Sequence, residues 1–315
     1  MIKISDINES AVIVRRCRTY SNAYSCLKGI IHNFWNQLNI DKLIKSNKII
    51  IKINLCDARS PETGAITHPL FLDSFLRILR DLIMFDGEIL VVESDASVAQ
   101  PDLFIKWFGF EEILNKWNVK YVNLSRMKVI KKIVDGYLIP IPKLLDNKDY
   151  FFITMPKLKT CVLTYLTCCL KNQYGCISMV RKYKYHPAIN QVISIINKLI
   201  TPDLCVVDGI ISMLGTRGPA YGRPEKTGLV IVGNDPVATD SYAAKLLGLN
   251  PWKVPHIVES FRRGVGSMVY SLFGDDLTSE FPKMKFIEIV ELHFLKFTTS
   301  LEENLREGGK HILKN

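Results

Sequence analysis

Apolar residues along the chain form short continuous runs, separated by longer stretches with helical spacing. Residues 11–14, 48–54, 88–92, 119–123, 150–155, 204–207 and 229–232 read as strands, and the isoleucine-rich run at 48–54 is apolar on both faces. A strand of that kind belongs in a sheet covered on both sides. Apolar positions at 3.6-residue spacing predict helices over 23–38, 69–85, 102–117, 161–170, 187–199, 236–247 and 254–263. Asp135-Gly136 separates strand-like runs at 129–134 and 137–141, a strong short-range signal for a hairpin. Buried strands alternating with helices predict an α/β fold: a mostly parallel sheet with helices on both faces, plus an antiparallel hairpin inserted around 129–141. The whole of 1–280 reads as one domain, with a boundary between two lobes near 145 as the alternative division. The segment 281–315 turns polar and is left as a tail.

Each strand hands over to polar residues. Lys52 and Asn54 follow the second strand, with Thr67-His68-Pro69 shortly after, and Glu93, Ser94, Asp95 and Ser97 follow the third. Lys157, Lys159 and Thr160 come after 150–155, Asp208 and Gly209 after 204–207, and Gly233, Asn234 and Asp235 after 229–232. Ligands of open α/β sheets sit outside the carboxyl ends of the strands, so these groups are expected to converge on one pocket. Lys157 and Lys159, two apart in extended chain, point to the same side. If 161–170 is helical, Cys161, Thr164, Cys168 and Lys171 share one stripe beyond them. Lys52, Asn54, Lys157, Lys159, Thr164, Lys171, Asn172, Arg217 and Asp235 are thus candidates to hold an anionic substrate. Glu93, Asp95 and Asp208 are candidate acid–base groups or ligands of a divalent metal, with His186 and Cys161 behind them.

Simpler readings stand beside these. Strand ends are polar because loops run through water, and marginal lysines reach solvent along their stems. Asp235-Pro236 has the form of a helix N-cap followed by proline at the first helical position. Asp240 is either stabilised by the helix dipole or a site carboxylate.

The net charge of +10 favours anionic partners, yet it is dispersed and forms no basic tail or nucleic-acid module. Eight cysteines with no C-x-x-C pair give neither a disulfide framework nor an iron–sulfur or zinc-ribbon ligand set. The loop Gly215-Thr-Arg-Gly-Pro-Ala-Tyr-Gly222 matches neither the Rossmann nor the P-loop fingerprint. No apolar run reaches the roughly 20 residues of a membrane span, and residues 1–10 lack a leader pattern, so a cytoplasmic protein without a membrane partner is expected. Two functions remain: an enzyme acting on a small anionic, phosphorylated or carboxylated substrate, metal-assisted or redox-linked; or an RNA- or ribonucleoprotein-binding surface around Arg181, Tyr183 and Tyr185. Oligomeric state leaves no mark in the sequence.

In order, the chain carries K-I-N-L from Lys52, G-A-I-T-H-P from Gly64, E-S-D-A-S from Glu93, P-K-L-K-T from Pro156, L-K-N-Q-Y-G from Leu170, V-D-G-I from Val207 and G-N-D-P-V-A-T-D from Gly233. With these motifs it resembles the family DUF362, a domain of unknown function, over roughly residues 48–266. The resemblance implies an α/β fold and a redox or biosynthetic setting, since relatives often carry a ferredoxin-like cluster domain, which is absent from this sequence. It also implies that Cys161 stands where relatives usually have histidine. A thiol can replace imidazole as a soft ligand or nucleophile, but it is a poor hydrogen-bonding base.

Overall fold

The computed structural model describes residues 9–97, 99–215, 222–282 and 291. The strands are β1 (Ala11–Arg16), β2 (Lys48–Ile53), β3 (Glu88–Glu93), β4 (Lys120–Asn123), β5 (Val129–Val134), β6 (Tyr137–Pro142), β7 (Phe151–Met155), β8 (Lys157–Cys161), β9 (Tyr165–Thr167), β10 (Leu204–Leu214), β11 (Arg223–Glu225), β12 (Leu229–Gly233) and β13 (Ser271–Gly274). The helices are α1 (Ala23–Asn33), α2 (Ile40–Ile44), α3 (Pro69–Arg77), α4 (Pro101–Trp107), α5 (Phe110–Lys116), α6 (Cys169–Asn172), α7 (Ile189–Leu199), α8 (Pro236–Leu246) and α9 (Pro255–Arg262).

One sheet runs β13-β1-β12-β10-β7-β2-β3-β4, with β8, β9 and β11 extending it beside β10. From β10 to β4 all neighbours are parallel, whereas β12 is antiparallel to both β10 and β1. The fold is therefore α/β with a mostly parallel sheet. Ile49, Ile51, Ile53, Val91 and Ile153 face a layer formed by α1 to α5. On the reverse side, Ile50, Leu90 and Phe152 pack under α7 and the β5–β6 hairpin, and Val12, Val207 and Ile231 pack under α8 and α9. Ile49, Ile50, Ile51 and Ile53 are all fully buried; each contributes roughly 1.5–3 kcal/mol relative to exposure, which is why this strand is apolar on both faces.

After β2 the chain moves outward through β3 and β4, then returns to add β7 and β10 on the other side of β2. The order therefore reverses between β2 and β7. A crevice at such a reversal is where an open α/β sheet takes its ligand.

The hairpin forms as expected: Val134 pairs with Tyr137, leaving a two-residue loop with Asp135 at φ +50° and Gly136 at φ +78°. Both positive values are those of a type I′ turn. Arg263 fastens the tip through Asp135 at 2.7 Å.

Three helical expectations need correction. Residues 161–170 are not a helix. The end of β8 turns back into β9, with Cys161 opposite Tyr165 and Lys159 opposite Thr167, before the four-residue α6. Thr160, Val162, Thr164, Tyr165 and Thr167 are β-branched or aromatic, and in so short a window their pleated-surface preference outweighs an i, i+3, i+4 coincidence. The stripe of Cys161, Thr164, Cys168 and Lys171 accordingly does not exist. Residues 102–117 split into α4 and α5 at Gly109, which takes φ +74°. The helix from Pro69 ends at Arg77 and widens into a π turn over Ile78–Leu82. Within the tail 281–315, only Phe281, Pro282 and Glu291 are among the described residues.

Candidate active site

At the β2/β7 reversal lies a cavity of about 280 Å³, lined among others by Lys52, Asn54, Glu93, Lys159, Lys171, Asn172 and His186. The carboxyl ends of β2, β3 and β8 supply its floor, and the segment from α6 to His186 closes over it. All seven of these residues are named in the sequence reading.

Its floor is a closed hydrogen-bond network. Lys52 Nζ lies 2.7 Å from Glu93 Oε1 and donates to Ile53 O at 2.7 Å and Asn172 Oδ1 at 3.4 Å. The Glu93 carboxylate also accepts the amides of Leu55 and Ser94, each at 2.9 Å. Asn172 Nδ2 donates to Lys52 O and Thr154 Oγ1, tying α6 to β2 and β7. Gly175 is required here: a Cβ on it would stand 2.7 Å from Lys52 Nζ and 2.8 Å from Glu93 Oε1. The Glu93 carboxylate therefore holds Lys52 and two backbone amides of the floor.

The walls are less satisfied. Lys159 is 1 % exposed, and its Nζ meets only neutral groups: Ala65 O at 2.5 Å, Asn54 Oδ1 at 2.7 Å and Cys56 Sγ at 3.3 Å. Lys182 is also buried and donates to Asp95 O at 2.5 Å. Burial lowers its pKa to about 8, against the opposing pull of Glu93. His186 is pushed down to about 4 by burial and by Lys171, so at neutral pH it is an uncharged imidazole. Thr167 Oγ1 is buried on the cavity wall and has no hydrogen-bond partner among the described residues. An unpaired buried hydroxyl beside a cavity is a vacant recognition point.

Lys157 and Asp208 form a second group beside this one. Pro156 interrupts the ladder after β7, and β8 then continues alongside β10, so both lysines point inward. Lys157 Nζ and Asp208 Oδ2 are 2.8 Å apart and fully buried. Tyr20 Oη accepts from Lys157 at 2.7 Å, and Asp208 also accepts the amide of His68 at 3.0 Å. His68 stacks on Tyr20 and caps α3 by accepting the Leu70 amide on Nδ1. Burial lowers the Lys157 pKa, with Asp208 opposing.

The remaining candidates sit elsewhere. Asp95 turns its carboxylate away from the cavity to accept from Asn123 Nδ2 at 2.9 Å, so Glu93, Asp95 and Asp208 do not converge as a hard-cation site. Asp235 is at the far end of the sheet because β12 runs antiparallel, placing Gly233 opposite Cys205 at the start of β10. There it caps α8, accepting the amides of Val237 and Ala238. Asp240 accepts the Cys169 and Leu170 amides at the start of α6. Thr164 donates to Leu166 O within the β8–β9 turn. Cys161 is buried at the end of β8, and burial resists its ionisation, but Lys171 and the hydrogen bonds of the turn outweigh that and lower its pKa. Arg217 lies outside the described residues.

Lys182, Thr167, Gly175 and Cys56 are cavity residues that sequence reasoning did not select. Lys182 was hidden in the basic run 181–184; its only distinguishing signal is a position four residues before His186 in a loop that must cover the site.

A family model for a domain of unknown function, DUF362, matches residues 49–245. The chain belongs to the DUF362 family. Its match runs from β2 through most of α8 and so contains every strand that builds the cavity, while β1, α9 and β13 lie outside it. The chain is also 30 % identical over 228 residues to a thylakoid-associated protein, sll1697, of Synechocystis sp., covering 70 % of this chain and 68 % of that protein. Within the DUF362 region of this chain, all three groups lie together: the lysine-rich cavity, the Lys157–Asp208 pair and the capped start of α6.

Proposed function

We propose that this DUF362 protein is an enzyme that binds a small anion carrying more than one negative charge, phosphorylated or carboxylated, in the cavity between β2 and β7. The observation that carries this is Lys159: a buried ammonium whose acceptors are all neutral. Lys171 and Lys182 also have no carboxylate within 4.0 Å among the described residues. Glu93, the one carboxylate among the described lining residues, is already held by Lys52 and two amides. Several kcal/mol are lost when an ammonium is buried without a counterion, and a ligand anion would supply that counterion to Lys159, Lys171 and Lys182 together.

The same walls offer chemistry beside the bound charge. His186, uncharged near neutrality, offers one ring nitrogen as a donor and the other as an acceptor to a bound group. Cys56 places its thiol 3.3 Å from Lys159 Nζ, on the same wall as the bound charge. Glu93 and Asp208 act through Lys52 and Lys157 as positioning groups. A redox partner or divalent metal would have to be supplied with the substrate, since these carboxylates are committed to lysines.

The nucleic-acid reading draws less support. Of its stacking pair, Tyr183 is exposed, but Tyr185 is buried with its hydroxyl bonded to Leu138 O. The cations cluster in a cavity, whereas a nucleic-acid backbone needs an open stripe. We read the protein as cytoplasmic: no described helix is long and apolar enough to cross a membrane. A peripheral association of the kind named for the Synechocystis relative needs none.

Calorimetric titration with sulfate, orthophosphate and pyrophosphate tests the proposal. Saturable binding that Lys159→Met weakens about ten- to hundredfold is expected, pyrophosphate being the tightest. Equal binding by wild type and variant, or binding of single-stranded RNA in preference to all three anions, would overturn it.

A further inference from the structure

Behind the cavity, at the start of α6, lies a cluster of different chemistry. Among the described residues it is the one place where three ligand atoms of His, Cys, Asp or Glu converge: Cys168, Cys169 and Asp240, with all donor atoms within 4.8 Å of one another. We propose that this cluster, completed by His256, binds a single structural Zn²⁺ ion.

The spacing fits. Cys168 Sγ and Cys169 Sγ are 3.8 Å apart. Zinc–thiolate bonds of about 2.3 Å at a tetrahedral angle put two sulfurs about 3.8 Å apart, so one ion bridges them as they stand. Asp240 reaches the same point from α8, and His256 follows from α9, its Nε2 3.9 Å from Asp240 Oδ2. His256 stands outside the three-residue group and would move in toward an ion already held by the other three. Two thiolates, an imidazole and one carboxylate oxygen form a four-coordinate, sulfur-containing set, which suits Zn²⁺ and not Mg²⁺ or Ca²⁺.

Asp240 has the capacity. Its two oxygens accept the amides of Cys169 at 2.7 Å and Leu170 at 3.1 Å, which uses one lone pair on each. The carboxylate is fully buried, and His256 is the one basic side chain within 4.0 Å of it among the described residues. An anion at that depth needs more than two neutral amides to offset its lost hydration. The amides also fix the carboxylate's orientation, as outer-shell hydrogen bonds do in known zinc sites. Charge balances: Zn²⁺ enters, the two thiol protons leave to solvent, and the cluster keeps a formal charge of −1.

All four residues are buried, so the ion would be closed off from substrate, as structural zinc sites are. Its role would be mechanical. It would pin the first residues of α6 to α8 and α9, and α6 carries Lys171 and Asn172 into the cavity two and three residues further on.

Plasma mass spectrometry of the full chain, purified from zinc-supplemented cells and dialysed, is expected to find about one zinc per molecule. A strong chelator should lower the melting temperature of the wild type. Cys168→Ala/Cys169→Ala should purify without zinc, with its melting temperature indifferent to the chelator. If that variant does not fold, cobalt-exchanged wild type carries the test, with thiolate-to-cobalt charge transfer and tetrahedral visible bands expected. Zinc below about a tenth of an equivalent in the wild type would overturn the proposal. So would full zinc retention in the folded double variant, or stoichiometric cobalt without the thiolate band.

Discussion

Lys157 and Lys159 are two residues apart on one strand, point the same way and are both buried. Their surroundings nevertheless predict opposite phenotypes. Lys157 faces Asp208 at 2.8 Å with no solvent access to either, while Lys159 faces neutral oxygens and a thiol. Replacing Lys157 by methionine keeps the stem and strands the Asp208 carboxylate among Tyr20 Oη and the amides of His68 and Ile210. Removing one partner of a buried pair typically costs about 3–5 kcal/mol. For a chain of this size that lowers the melting temperature by on the order of 10 °C. In Lys157→Met/Asp208→Asn the stranded charge is gone, and more than half the loss should return.

Lys159→Met should behave differently. It leaves Ala65 O and Asn54 Oδ1 short of a donor, at about 1–3 kcal/mol each, but it also removes a buried ammonium that has no carboxylate within 4.0 Å among the described residues, worth several kcal/mol in the other direction. These nearly cancel, so the melting temperature without ligand should move by only a few degrees. Sulfate affinity should fall about ten- to hundredfold, the worth of one charge-assisted hydrogen bond of about 1.5–3 kcal/mol. Thermal melts by circular dichroism with and without sulfate, together with calorimetric titration, read both quantities. The reasoning fails if Lys157→Met melts with the wild type, or if Lys159→Met binds sulfate normally.

Lys182, at about 8 when folded against an ordinary 10.5, binds fewer protons folded than unfolded between those values. Stability should therefore rise with pH through that window while sulfate affinity falls, and Lys182→Met should flatten both curves; denaturant melts and titrations at pH 7 to 10.5 would show a single shared trend if the assignment is wrong. Gly175→Ala drives a methyl against Lys52 Nζ and Glu93 Oε1, so about 1–3 kcal/mol of stability and most of the sulfate affinity should go together; an unchanged titration would show that the ion pair is not part of the binding floor. Gly136→Val forces a β-branched residue to φ +78°, with no atom within 4 Å of the new Cβ. A loss of about 1–2 kcal/mol with binding intact is expected, and a binding defect at full stability would make the hairpin part of the site.

The strands were legible because burial on both faces leaves a compositional trace: Ile49 to Ile53 could hardly be anything but a central strand. Lys52, Asn54, Glu93 and Lys159 were reachable by one rule, that parallel strands present their carboxyl ends to ligand, whereas Lys171 was reached through a helical stripe that does not form. The rule misled at Asp235 because strand direction is invisible in a single apolar run, and β12 is antiparallel. Residues 161–170 misled for a different reason. Only pairing with β10 and β9 makes Lys157–Cys161 and Tyr165–Thr167 extended on either side of the turn at 162–164, and pairing is non-local. The partition of the acids was also hidden. Nothing in the spacing of Glu93, Asp95 and Asp208 says that the first and third will each be consumed by a lysine from another strand, while the second turns toward Asn123.

That partition bears on how the site works. Among the described residues, Glu93 on the cavity floor is neutralised by Lys52 and Asp208 beside the cavity by Lys157, so these acids cancel cations in pairs. What remains uncancelled is Lys159 on a strand, Lys171 on α6 and Lys182 on the covering segment: three cations from three different elements directed at one volume. Cations left unpaired on a solvated surface would cost nothing and signify little. Gathered in one cavity the three repel one another, and Lys159 and Lys182, which are buried, are also penalised by lost hydration; both costs fall when an anion enters. The free protein therefore holds strain in the contacts that a ligand would complete. Lys159 contributes most to this, because the β8–β10 ladder holds its backbone and its ammonium cannot swing out to water. A site of this construction recognises charge before shape, and discrimination among anions then falls to Thr167, His186 and Cys56, the uncharged groups on the same walls.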